Sequence, residues 1–190
     1  GQVFGVPREE VTPLMRSRAK AVNFGIVYGI SDYSLSQDIH VTRAEARAYM
    51  DSYLAHYSGV KQYMADVVSR AKEKGYAETL FGRRRYLPEL KASNFNQRSF
   101  GERVAMNMPV QGTAADIIKL AMIRVAKRLE AELPEARLLL QVHDELIAEC
   151  PEDKASKCAA ILTDEMQGAV SLAVPLTAEA HFAKDWYDAK

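Results

Sequence analysis

Leu138-Leu139-Leu140-Gln141-Val142-His143-Asp144-Glu145-Leu146-Ile147-Ala148 is the stretch on which the fold class turns. Two short apolar runs flank three polar residues, which is the layout of two strands joined by a tight turn. Periodicity alone leaves a buried helix open at this point. Upstream of Pro134 the pattern is helical; downstream a helix near 152–169 and a final strand near 175–182 are expected. The reading is an α+β chain, helical in its first part and ending in a small antiparallel sheet.

The helices announce themselves by their starts. Thr12 before Pro13 is an N-cap followed by proline at the first helical position, and that helix should run to a glycine stop at about Gly29. Thr42 with Glu45 and Thr113 with Asp116 both have capping-box spacing, so a helix is expected from each. The first continues to about Tyr57, followed by another over roughly 60–74. The second runs to about Glu132 with Ile118, Met122, Val125 and Leu129 as its apolar stripe. A further helix over 95–108 should end before Pro109.

Composition narrows the class. With 190 residues, 48% of them hydrophobic, the chain can bury a core, and no apolar run reaches the roughly 18 to 20 residues needed to span a bilayer. The opening GQVFGVPREE lacks the layout of a secretion signal. Cys150 and Cys158 are too few for a disulfide scaffold and lack zinc spacing, so a cytoplasmic setting is expected. Although net charge is zero, residues 1–129 carry 20 Lys/Arg against 12 Asp/Glu, and residues 130–190 carry 5 against 13. That asymmetry fits a polyanion surface beside a metal-holding carboxylate site; solvated helix faces would give it equally well.

On the first helix, at about 100° per residue, Met15, Ala19, Val22 and Ile26 fall within about 60° and form a core stripe. Arg16, Lys20, Phe24 and Tyr28 fall at about 100°, 140°, 180° and 220°, on the opposite face. Two cations followed by two aromatics suit a nucleoside triphosphate lying along the helix, phosphates toward its N-terminal end. Packing of the aromatic rings against a neighbouring helix is the other reading.

His143-Asp144-Glu145 would place two acids at a hairpin tip. Asp-Glu is poor turn chemistry and adjacent like charges repel, difficulties that a divalent cation such as Mg²⁺ removes. A solvated acidic loop is the plainer reading. Arg103, Asn107 and Gln111 recur every four residues ahead of Gly112, with Pro109 interrupting the run.

Arg16-x3-Lys20-x3-Phe24-Gly25-x2-Tyr28-Gly29 resembles the nucleotide-binding helix of family A DNA polymerases, and Val142-His143-Asp144-Glu145 resembles that family's motif C. Asn107-Met108-Pro109-Val110-Gln111-Gly112-Thr113-Ala114-Ala115-Asp116 resembles its primer–template segment, and Thr79-Leu80-Phe81-Gly82-Arg83-Arg84-Arg85-Tyr86-Leu87-Pro88 recurs there too. The likeness extends from Phe4-Gly5-Val6-Pro7 to Trp186-Tyr187-Asp188-Ala189-Lys190. It implies nucleotide binding by Arg16, Lys20 and Phe24, with Tyr28 at the templating position. It further implies DNA contacts by Arg103, Asn107, Gln111 and His143, and Mg²⁺ binding by Asp144 with Glu145 in support. Arg83–Arg85 are left between phosphate contact and a structural role. The family often carries a second Arg directly after the first; here Ser17 intervenes, and Arg18 falls at about 300°, off the nucleotide face.

The implied protein is a DNA-directed DNA polymerase, nucleoid-associated in a bacterial cytoplasm. Its partners are primer–template DNA, deoxynucleoside triphosphates and the remaining domains of the same polymerase. Residues 1–98 would be fingers, with the nucleotide helix at about 13–29. Residues 99–190 would be palm, with the catalytic hairpin at about 137–149. The family's Asp-Tyr-Ser-x-Ile-Glu-Leu-Arg motif, which supplies a second metal-binding Asp and the sugar-screening Glu, does not occur in these 190 residues. The chain alone is therefore expected to be inactive in primer extension. A single-subunit phage-type RNA polymerase and a non-catalytic nucleic-acid-binding module are the alternatives.

Overall fold

The computed structural model describes residue 1 and residues 4–189; Lys190, the last residue of the expected likeness, lies outside them, as do residues 2 and 3. Helices α1 (Pro13–Val27), α2 (Asp32–Asp38), α3 (Arg43–His56) and α4 (Ser58–Lys74) come first, then strands β1 (Tyr76–Glu78) and β2 (Arg84–Tyr86). After them come the long helix α5 (Phe95–Glu132), strands β3 (Arg137–Val142) and β4 (Glu145–Glu149), and α6 (Ala155–Gln167). Short 3-10 turns occupy Arg8–Glu10, Pro88–Lys91 and Glu152–Lys154. The chain divides into two compact units, residues 1–111 (unit 1) and the residues from 112 onward (unit 2).

Local chemistry sets the early helices. Thr12 Oγ1 accepts from the Met15 amide at 3.2 Å, and Pro13 occupies the first turn. At the other end, Gly29 takes φ +71°, while the Gly29 and Ile30 amides donate back to Ile26 and Gly25 carbonyls. That is a Schellman stop, which needs a left-handed residue where glycine sits. Thr42 and Glu45 form both hydrogen bonds of a capping box, starting α3 as expected.

Unit 1 has two buried clusters. Val22 and Ile26 of α1 pack with Leu35, Ile39 and Ala46, while Ala71, Ala77, Leu87 and Leu90 pack with Ala105 of α5. In unit 2, Val125, Leu129 and Leu133 pack with Ala136, Cys158 and Ile161. Full burial of side chains of this size contributes about 1.5–3 kcal/mol each. The α5–α6 contact is also charged: Arg124 Nε meets Glu165 Oε2 at 2.7 Å, and Arg128 reaches Asp164 and Glu165 at 3.2 Å. The Arg124 guanidinium holds the Glu165 carboxyl below the ordinary range, with Arg128 adding to the effect.

Three expectations are corrected. The helix expected to stop before Pro109 and restart at Thr113 is one 38-residue helix with Pro109 inside it. An interior proline costs about 3 kcal/mol, which is offset where apolar residues on both sides are buried; Ala105 precedes Pro109, while Ile118, Ala121 and Val125 follow it. Thr113 and Asp116 are buried within that helix instead of capping its start. The strand expected near 175–182 has no ladder. Gln167 Nε2 donates to Ala178 O at 2.9 Å, a side-chain tie in place of strand pairing. The small sheet is joined by a second, the β1–β2 hairpin, in which Tyr76 pairs with Tyr86 and Glu78 with Arg84.

Candidate functional site

On α1 the two faces separate as the spacing requires. Val22 and Ile26 are buried and Met15 and Ala19 half-buried, while Arg16, Lys20, Phe24 and Tyr28 are all exposed. Phe24 is 59% exposed and Tyr28 46%, so neither ring is consumed by the core and the packing alternative does not hold for Phe24. The cations lie nearer the N-terminal end, where the helix dipole adds to their attraction for anions. Arg18 faces elsewhere: its charge acts on Glu45 of the α3 capping box, and its Nε is buried without a hydrogen-bond partner. Off the exposed face of Arg16, Lys20, Phe24 and Tyr28, it belongs to the α1–α3 contact.

The end of α1 meets α5. Gln111 Nε2 donates to Tyr28 Oη at 3.0 Å, joining two residues that sequence reasoning had assigned to separate motifs. A Cβ built on Gly29 would lie 2.7 Å from Met106 Cε and 2.9 Å from Arg103 Cγ, so the backbone there approaches α5 as closely as only glycine permits. Arg103 Nη1 donates to Ser99 Oγ at 3.0 Å, and Asn107 Oδ1 is buried without a hydrogen-bond partner. Arg103, Asn107 and Gln111 therefore line one side of α5 across Pro109. Met106 and Gly29 complete the contact. Gly29 was expected as the helix stop, whereas Met106 was missed because it carries no chemistry of its own.

The β1–β2 hairpin sorts the arginine run. Arg84 lies 4.7 Å from the Tyr76 ring centroid and 3.5 Å from Glu78 Oε2, a structural placement. Arg85 is exposed opposite Ala77.

In unit 2 the β3–β4 register pairs Val142 with Glu145, which leaves His143 and Asp144 as a two-residue turn. This corrects the expected tip: Glu145 is the first residue of β4, and the turn residues are His143-Asp144, not Asp-Glu. His143 takes φ +52°, an uncommon backbone for a residue with a Cβ, and its carbonyl accepts from Gln141 Nε2 at 2.6 Å. Leu139 is bulged out between the Leu138–Ala148 and Leu140–Ile147 pairs. A cavity of about 1370 Å³ borders the hairpin, lined among others by Asp144, Ile147, Cys150, Ile118, Met166 and Phe182.

As metal ligands, Asp144 and Glu145 are exposed oxygen donors of the kind Mg²⁺ takes, one or two carboxylates with substrate phosphates completing the shell. Among the described residues no group of three His, Cys, Asp or Glu is placed to hold an ion. The donor chemistry fits; a full ligand set needs oxygens from substrate or from other polypeptide. His40 and His56 stand apart from this hairpin in sequence, while His181 lines the same cavity as Asp144 and Glu145.

The class defined by this fold is that of a polymerase domain. The structure aligns with the POL domain of Pol1 from M. smegmatis in complex with DNA primer-template and dNTP, with a TM-score of 0.93 and 42% identity, over 99% of this chain and 33% of that one. The DNA polymerase family A profile matches residues 1–188, and the chain belongs to that family. Among curated relatives, DNA polymerase I of Geobacillus stearothermophilus is 55% identical over 99% of this chain and 22% of its own length. DNA polymerase I of Bacillus subtilis is 56% identical over 99% of this chain and 21% of its own. The chain thus spans about a fifth of the length of these relatives. These matches do not support the phage-type RNA polymerase reading. Among the described residues no helix is long and apolar enough to cross a membrane.

Proposed function

We propose that this chain supplies the nucleotide-gripping helix and one carboxylate site of a DNA-directed DNA polymerase, which adds deoxynucleotides to a primer 3′ end as a template directs. The observation that carries the reading is the exposed Arg16-Lys20-Phe24-Tyr28 face, opposite the core stripe of α1. Arg16 and Lys20 bind the triphosphate and offset charge that develops on its phosphates. Phe24 packs on the sugar and base, and Tyr28 stands at the templating position. Arg103 meets the DNA backbone, and Asn107 and Gln111 meet the minor-groove side of the duplex. Its few hydrogen-bonding patterns suit an enzyme that accepts every sequence.

Asp144, with Glu145 in support, holds Mg²⁺, which when bound activates the attacking oxygen and stabilises the leaving one. The left-handed His143 sets the turn that carries Asp144, and the His143 ring lies toward the primer terminus. In this reading residues 1–98 are fingers and 99–190 palm. The remaining domains of the same polymerase supply the other metal carboxylate, and the enzyme serves DNA replication and repair in the bacterial cytoplasm, at the nucleoid. These 190 residues alone do not extend a primer.

The test uses the full-length polymerase carrying Asp144→Ala. Primer–template binding is retained, while extension falls on the order of a thousandfold, the size expected for losing several kcal/mol of charge stabilisation. Extension at a near wild-type rate would remove Asp144 from the chemistry.

A further inference from the structure

The chain's two cysteines have no part in the polymerase reading, yet the fold brings them together. Cys150 directly follows β4 and is half-buried; Cys158 lies one turn into α6 and is 4% exposed within the core of unit 2. Cys150 packs against that same core, the cluster that contains Cys158, and it is the neighbouring group that acts on the Cys158 thiol. Their access differs. Cys150 borders the 1370 Å³ cavity, while Cys158 does not line it.

We propose that Cys150 and Cys158 form an oxidation-responsive dithiol, in which a peroxide attacks Cys150 and Cys158 resolves the product to an intrachain disulfide. The order of events follows from the surroundings. Burial, together with the adjoining Cys150, pushes the Cys158 thiol up to about 11, so at neutral pH it stays protonated and reacts poorly with an oxidant from solution. In the first step the Cys150 sulfur attacks hydrogen peroxide: an S–O bond forms, the O–O bond breaks, and the departing hydroxide leaves with the thiol proton as water. A sulfenic acid condenses readily with a neighbouring thiol, and the sequence holds one other cysteine. In the second step the Cys158 sulfur attacks the Cys150 sulfur, an S–S bond forms, the S–O bond breaks, and hydroxide leaves with the Cys158 proton as a second water. The two thiols together lose two electrons and one peroxide gains them. The bridge fastens the end of β4 to α6, at the base of the hairpin whose far end carries Asp144.

The experiment treats the full chain with hydrogen peroxide, blocks remaining thiols with N-ethylmaleimide, and maps peptides by mass spectrometry. Expected are loss of both free thiols, a Cys150–Cys158 linked peptide lighter by two hydrogens, and reversal by dithiothreitol. In Cys158→Ala, a dimedone-trappable sulfenic acid accumulates on Cys150; in Cys150→Ser, Cys158 stays unmodified until the chain is unfolded. Mapping of the unsubstituted chain needs no variant to fold. The inference is overturned by either of two results: both thiols still free after peroxide, or a disulfide found only between separate chains. The readout is thiol chemistry, so its failure leaves the polymerase reading intact.

Discussion

The nucleotide face of α1 and the β3–β4 turn carry the two halves of the proposed chemistry, and they are built in opposite ways. On α1 four side chains share a face because helical spacing puts every fourth residue there, and the stripe of Val22 and Ile26 fixes which way the helix rolls. On the hairpin, the position of Asp144 depends on strand register, on the Leu139 bulge and on a left-handed His143. A one-residue slip there would turn every side chain to the other face of the sheet, whereas a helix has no such alternative. The helix therefore tolerates local change and is legible from sequence; the hairpin is legible as a hairpin, but its tip is not.

The two regions can be pulled apart by substitution. The largest effect is expected from Lys20→Ala in the full-length polymerase. Losing charged hydrogen bonds of about 1.5–3 kcal/mol should weaken nucleotide binding by about ten- to a hundredfold, read from the nucleotide concentration dependence of extension. Arg18→Ala, off that face, should leave nucleotide affinity unchanged. If the two variants behave alike, the face assignment is wrong.

Gly29→Ala comes next and tests the end of the helix. A Cβ there meets both the strain of φ +71° and the 2.7 Å contact with Met106 Cε. The left-handed cost alone is about 1–2 kcal/mol, visible as a lower midpoint in thermal unfolding. Met106→Ala in the same chain should recover only the steric part that arises at Met106, since Arg103 Cγ stands 2.9 Å from the same Cβ, and none of the backbone part. The His143 position makes the contrast, since a residue with a Cβ already occupies left-handed backbone there. A Gly29→Ala chain as stable as the parent would mean that the close approach to α5 is not required.

The smallest effect concerns pH. The folded-state pKa of Glu165 is lowered from 4.5, chiefly by its hydrogen bond to Arg124. Its pairing with Arg124 and Arg128 is thus fully present above that ordinary value and is lost as pH falls through the depressed folded value. Unfolding of the parent and of Glu165→Gln, followed across acidic pH, should differ near neutrality and converge in acid. A difference that grew on acidification would reverse the sign of the argument.

Signals that act over one turn of chain were readable directly. Thr12-Pro13, Thr42 with Glu45, and the buried and exposed stripes of α1 all depend on neighbours within four residues, and each is found where its spacing put it. Thr113 with Asp116 has the same spacing as a capping box and is none, because burial on both sides of Pro109 carries one helix through both residues. The β1–β2 hairpin escaped notice because strands of three residues, one of them Arg84-Arg85-Tyr86, show no period. The segment near 175–182 has strand-like composition, but a strand exists only where another backbone pairs with it, and composition does not supply that partner.

Sequence by itself thus determined the α+β class, the family likeness, and the faces of α1, since these follow from periodicity and from motifs of fixed local spacing. Tertiary structure alone decided that Gln111 reaches Tyr28, that Gly29 is pressed against Met106, and that Cys150 packs against the cluster that holds Cys158. It also decided that the turn is His143-Asp144. Contacts between residues far apart in the chain arise from packing and register, and no local pattern encodes which of several compatible pairings buries the most apolar surface.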